Sequence, residues 1–206
     1  MQIVVVASDE QWEALTGTRP QAEWQRVDNV SEFMNYRNAD AYFHLGENDI
    51  LPGCTLPKKT VIINSVIETL QELKAPGNVL RINGWSGFLQ RPGWEIAGNI
   101  DENIRSLFKK LEIGLHVVED KPGFISARII AMIVNEAYLA LENDVSTKNE
   151  IDTAMKLGTN YPFGPFEWSR AIGAGNILAL LEKLSNESTR YNPAVLLMRE
   201  VNQKVS

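Results

Sequence analysis

Beside its 26 carboxylates, this 206-residue chain has few side chains that move protons or hold metals: two histidines, His44 and His116, and one cysteine, Cys54. Both histidines lie on or beside apolar stretches that read as strands, where an imidazole more often completes a core than serves as a base. A single cysteine permits no intramolecular disulfide, and without a second thiol or a clustered acidic motif neither a structural zinc site nor an EF-hand is expected. Glu95 stands between Trp94 and Ile96 as a carboxylate in an apolar setting, and Asn83, Trp85 and Glu95 together could line a small pocket. Such a carboxylate either orients a catalytic group or pairs with a nearby arginine. Glu47 and Asn64 sit at the ends of expected strands, where turn chemistry alone would account for them.

The elements that must position these residues follow from the hydrophobic pattern. Ile3–Val6 is a short apolar run followed by polar residues and helix formers, a strand–turn–helix opening. An extended WQRV segment around Trp24, a helix from Ser31 to Tyr36 with Ser31 as N-cap, and an apolar AYFHL strand from Ala41 come next. Residues 46–58 are dense in Gly, Pro, Asn and Asp and read as loop. KTVIINSV supplies a buried strand centred on Ile62, Asp101–Leu111 an amphipathic helix, and GLHVV a further strand near Val118. At Glu119–Gly123 the character changes, which places a domain boundary there: residues 1–119 form an α/β domain and residues 120–206 a helical one.

In the second half Ile125, Ile129, Ile133, Ala137 and Leu141 recur every fourth residue, and Ile130, Val134 and Tyr138 widen the stripe into a broad buried face. Thr147 with Glu150 is a capping-box signature for a helix that Gly158 would end. YPFGPFEW reads as a rigid aromatic turn, followed by helices over 176–185 and 193–201. Composition is that of an ordinary globular chain, 44% hydrophobic and 22% charged, with a net charge of -6. Scattered Lys and Arg with that net charge disfavour a nucleic-acid partner. Apolar runs fall far short of the roughly 20 residues a membrane span needs, and no leader pattern opens the chain, so the expected setting is the cytoplasm.

One stretch carries more than periodicity. From Asp120 to Gly173 the motifs DxPGF, NEA at 135–137, IDxAMKLG at 151–158 and YPxGPFE at 161–167 stand in an order and spacing that closely resembles the substrate-binding domain of 3-hydroxyacyl-CoA dehydrogenases. RYNPAVLLMREV resembles that family's last helix. Upstream, NADAYFHLGEN resembles the strand that closes near the nicotinamide ribose, which makes Glu47 a cofactor-binding candidate. KTVIINSV resembles the strand ending in an Asn-Thr-Ser turn and nominates Asn64. The resemblance implies a shortened, degenerate Rossmann-like parallel sheet followed by a helical domain of the 6-phosphogluconate-dehydrogenase C-terminal type. It also implies NAD as cofactor, acyl-CoA as ligand and a homodimer formed through the helical half.

Departures from the family pattern fall on the chemistry. The glycines of GxGxxG let a backbone approach a pyrophosphate at a helix N-terminus; here Ala7, Asp9 and Trp12 take their places. The resemblance matches Glu95 to the glutamate that orients the catalytic histidine. Counting back from Glu95 without a gap puts Asn83 at the histidine position, and other gaps would put Arg81 or Trp85 there. An amide has no useful basicity near neutral pH. The family's serine falls on Val66 and its asparagine on Ala127, and Arg170 stands where the family usually has Asp. Two functions follow as expectations: NAD-dependent oxidation of a 3-hydroxyacyl-CoA, or a non-catalytic relative that binds acyl-CoA, dimerises or docks to a working homologue. A third is a different reaction in the pocket of Asn83, Trp85 and Glu95.

Overall fold

Strands buried on both faces must be apolar throughout, and the opening residues meet that requirement. Gln2–Val6 form β1, with Ile3, Val4 and Val5 wholly inaccessible to solvent. The computed structural model describes residues 1–46 and 55–205. Asp9–Thr16 form α1, followed by β2 (Glu23–Arg26), β3 (Ala41–His44), β4 (Val61–Asn64), β5 (Val79–Ile82) and β6 (Gly93–Ala97). Glu102–Lys110 form α2, and Gly114–Val117 form the edge strand β7. The strands lie in the order β2-β1-β3-β4-β5-β6-β7. Every neighbouring pair is parallel except β5 and β6, so the parallel sheet expected from the sequence contains one antiparallel junction. This is a Rossmann-like sheet.

Its two faces have separate cores. Leu15 of α1 and Ile104, Leu107 and Phe108 of α2 pack on Ile3, Val5, Phe43, Ile62, Ile82, Trp94 and Ile96. On the other face Val4, Tyr42, Val61, Ile63 and Val79 meet Val27, Val30 and Phe33. Val30–Asn35 is a 3-10 turn rather than an α-helix, and its cap is Asn29, not Ser31: Asn29 accepts from the Ser31 amide while Glu32 reaches back to the Asn29 amide. Strand β5 escapes a reading by pattern because a charged residue, Arg81, sits in its centre.

Arg81 is fully buried, and its environment explains how that is tolerated. Its Nε donates to Asp120, one terminal nitrogen donates to the Ser65 carbonyl at 3.0 Å, and the other donates to the Lys121 carbonyl. The guanidinium also stands 4.2 Å from the centroid of the Phe124 ring. Burial pushes the guanidinium down from its ordinary value, and the hydrogen bond and charge of Asp120, with the charge of Glu72, pull it back up. The effect on architecture is that residues 120–124 are fastened to the sheet. Phe124 adopts a left-handed backbone, φ 50°, and the Gly123 amide donates to Val66 at 2.7 Å.

The chain forms two compact units, Met1–Phe124 and Ile125–Ser206. The second is helical: α3 (Ser126–Glu142), α4 (Lys148–Thr159), α5 (Pro165–Ile172), α6 (Ala174–Ser185) and α7 (Val195–Val205). Thr147 and Glu150 form the expected capping box. Helix α4 runs past Gly158 to Thr159, and Asn160, in the left-handed conformation at φ 55°, ends it instead. The YPFGPFEW segment is turn only to Gly164, since Pro165 opens α5, as proline at a first helical position can. Asp152 caps α5 by accepting from the Phe166 amide at 2.7 Å, and Arg170 pairs with the same carboxylate at 3.4 Å. Asn135 clips α3 to the start of α7, donating to the Asn192 carbonyl at 2.9 Å and accepting from the Ala194 amide at 2.8 Å.

The buried face of α3 is rotated from the one the fourth-residue repeat predicts. Ala127, Ile130, Ala131, Val134, Ala137 and Tyr138 are buried, whereas Ile125 and Ile129 are 57% and 51% exposed within the chain. Ala127, Ala131 and Ala137 thus share the contact line with Ile130, Val134 and Tyr138. Among the described residues no helix is long and apolar enough to cross a membrane. The Asp120→Ala variant, which leaves the buried guanidinium without its counter-charge, should lose about 3–5 kcal/mol of stability in urea unfolding.

Candidate functional site

Parallel strands β1, β3, β4 and β5 end on the same side of the sheet, and antiparallel β6 begins there. Asn64 at the end of β4, Asn83 just past the end of β5 and Glu95 in β6 therefore lie toward one end of the sheet. Asn64 is the last residue of β4; its Nδ2 donates to the Leu45 carbonyl at 3.2 Å and its Oδ1 accepts from the Gly84 amide at 2.9 Å. A Cβ at position 84 would lie 2.8 Å from Asn64 Cγ, which explains the glycine there. Asn83 is buried, and its Oδ1 accepts from the Trp85 amide at 3.2 Å.

The antiparallel register sets Arg81 opposite Ala97 and Ile82 opposite Ile96. Continued by one residue, it places Asn83 across from Glu95. Glu95 is half-buried, and its charge raises the Arg91 guanidinium against the lowering that burial produces. Arg91 itself donates from Nε to the Gly87 carbonyl at 2.9 Å and stacks 4.1 Å from the Phe88 ring centroid. On the other side of Glu95, the parallel register with β7 makes His116 its direct partner, so the two residues emerge on one face. His116 is exposed, and its ring leans over Gly93, where a Cβ would stand 3.0 Å from Nε2. His44 is buried at the end of β3. Glu47, nominated by sequence as a cofactor contact, lies outside the described residues, as does Cys54.

At the opposite side of this sheet end, the turn from β1 into α1 is held by its own side chains. Ser8 and Gln11 form a reciprocal capping box. Arg26 donates to the Ala7 carbonyl at 3.1 and 2.8 Å and pairs with Asp9 at 2.6 Å. Trp12 packs against the core beneath α1, filling space that a small residue would leave open. The pyrophosphate of a dinucleotide needs bare backbone and a positive field at this turn. Asp9 and Glu10 supply carboxylates instead, and these residues do not fit that group. Sequence reasoning did not single out Gln11, Arg91 or Ser86; only Ser8-x-x-Gln11, a capping-box spacing, was there to be read.

The helical unit is where this chain is similar in sequence to known proteins. Residues 123–205 match the family model for the 3-hydroxyacyl-CoA dehydrogenase, C-terminal domain. The 3-hydroxyadipyl-CoA dehydrogenase of Escherichia coli (strain K12) is 46% identical over 82 residues, 39% of this chain and 17% of its own length. The 3-hydroxybutyryl-CoA dehydrogenase of Clostridioides difficile is 40% identical over 86 residues, 41% of this chain and 31% of its own length. The chain thus spans about a third or less of the curated relatives it matches. The crystal structure of (S)-3-hydroxybutyryl-CoA dehydrogenase from Ralstonia eutropha superposes with a TM-score of 0.71 at 18% identity, covering 98% of this chain and 94% of that one, and so shares the fold.

The close fit of Gly84 on Asn64 is testable by a double-mutant cycle. Gly84→Ala alone should destabilise by about 1–3 kcal/mol through overpacking, and Asn64→Ala in the same chain should recover part of that loss, read as thermal midpoints of the four proteins.

Proposed function

We propose that this protein is a relative of the 3-hydroxyacyl-CoA dehydrogenases that retains an acyl-CoA-binding, dimer-forming helical domain and has given up hydride transfer. The observation that carries this reading is the amide of Asn83 in register across from Glu95. Oxidising a secondary alcohol requires a group that accepts the hydroxyl proton as hydride departs. An amide can hold a carbonyl oxygen through its Nδ2 but cannot take that proton. Glu95 is then a residue of the ancestral arrangement, interacting with Arg91. The helical unit supports the binding half of the proposal, since it is the part most similar in sequence to enzymes named for acyl-CoA substrates. The exposed Ile125, the residue that precedes α3, and Ile129 in its first turn supply an apolar face for a second copy of the chain. A soluble protein of the cytoplasm suits this role.

A second reading, NAD-dependent oxidation of a 3-hydroxyacyl-CoA, draws on one specific feature: His116 is the register partner of Glu95, so an imidazole reaches the same face from β7. Calorimetric titration with acetoacetyl-CoA, followed by an assay for NADH consumption, separates the two. The expected result is saturable acetoacetyl-CoA binding with no NADH oxidation. A turnover rate abolished by His116→Ala would transfer the assignment to the second reading, and absence of acetoacetyl-CoA binding would remove the first. For the dimer, Ile129→Glu should convert a dimeric species to monomer in light scattering at micromolar concentration; a wild-type monomer under the same conditions would end that part of the proposal.

A further inference from the structure

Side chains lace together the end of the sheet where a ligand would enter. In an open α/β sheet the ligand crevice lies beyond the carboxyl ends of the strands, between the two neighbours from which the chain winds in opposite directions. Here β2 lies on one side of β1 and β3 on the other, so the crevice belongs between the ends of β1 and β3. Gln11 spans that gap. Its Oε1 accepts from the Ser8 amide at 3.0 Å and its Nε2 donates to the Leu45 carbonyl at 2.6 Å, joining the turn after β1 to the residue after β3. The Leu45 amide donates to the Val6 carbonyl at 2.8 Å, which extends the β1–β3 ladder to the same point.

The lacing continues around the rim. The Leu45 carbonyl also accepts from Asn64 Nδ2, and Asn64 Oδ1 accepts from the Gly84 amide. Two residues later Ser86 Oγ donates to Glu10 Oε1 at 2.5 Å, and Glu10 is the neighbour of Gln11 on α1. A closed circuit, made of these hydrogen bonds and the short backbone stretches 84–86 and 10–11, thus runs from α1 across the ends of β3, β4 and β5 and back to α1.

We propose that this circuit seals the switch-point crevice, so that the turn at residues 7–12 is a structural tie and the first unit takes no dinucleotide. To admit a pyrophosphate, Gln11 and Ser86 would have to release their partners. The phosphates would then meet the carboxylates of Asp9 and Glu10, a like-charge contact. Arg26, the cation beside the turn, directs its nitrogens to the Ala7 carbonyl and to Asp9. The inference rests on the lacing and not on Asn83, and it stands whether or not the helical unit binds acyl-CoA.

The test is a fluorescence titration of the full chain with NADH, together with thermal midpoints of the wild type, Gln11→Ala and Ser86→Ala. No saturable binding up to millimolar NADH is expected, with each variant melting about 2–4 °C below the wild type, the shift for loss of a net-stabilising hydrogen bond in a chain of this size. Saturable micromolar NADH binding by the wild type would overturn the proposal. So would wild-type midpoints in both variants, because the circuit would then tie nothing. Ser86→Ala, a partly exposed site, keeps the test decisive if Gln11→Ala fails to fold. NADH binding acquired only by the Gln11→Ala, Ser86→Ala double variant would identify the circuit as the seal.

Discussion

A guanidinium with no solvent exposure, Arg81, organises the first unit. Taking such a charge out of water costs several kcal/mol, and the structure offsets that by surrounding it with a carboxylate, two carbonyls and an aromatic face, all drawn from outside β5. Because three of those partners lie within residues 120–124, the requirement to satisfy Arg81 dictates where the polypeptide leaves the sheet. Phe124 accepts a left-handed backbone, uncommon for a bulky residue, and its ring against Arg81 helps to hold it there. An apolar residue at position 81 would pack in the sheet but would leave the following segment without an anchor.

Around that anchor the sheet end divides into two regions of different character. On the β5–β6–β7 side, Asn83, Glu95 and His116 come together through strand register, and the question of chemistry turns on which side chain could accept a proton. Toward α1 the residues are committed to one another: Gln11, Asn64 and Ser86 use their hydrogen-bonding groups within the fold. A shared fold does not carry a shared function with it. The helical unit follows a different economy, with carboxylates at helix starts: Asp152 and Glu167 both serve α5, and Glu167 is held below the usual carboxylate range first by Lys156 and then by the Gly164 amide.

Much of this was legible in the residues. The continuous apolar runs of β1, β3 and β4, the capping box of α4 and the motifs between Asp120 and Gly173 are local patterns, and local patterns survive in a string of letters. Strand β5 was not legible, because Arg81 breaks its apolar run and its compensating partners lie about forty positions away in the chain, a separation measured by its bond to Asp120. The α3 stripe was legible in part: Ile130, Val134, Ala137 and Tyr138 are buried as the pattern expects, whereas Ile125 and Ile129 are exposed, because periodicity reports that a face is apolar and not which neighbours pack on it.

What the sequence by itself determined was therefore the class of the two halves, the resemblance carried by the second, and the amide, not an imidazole, at position 83. Those are properties of residue identity and spacing. Only the tertiary structure decided that Glu95 is the register partner of His116, with Asn83 one residue past the β5–β6 pairing, and that Gln11 bridges the ends of β1 and β3. Strand register and side-chain hydrogen bonds between distant segments arise when the sheet assembles, and the distances that set them are not encoded in any short window of sequence.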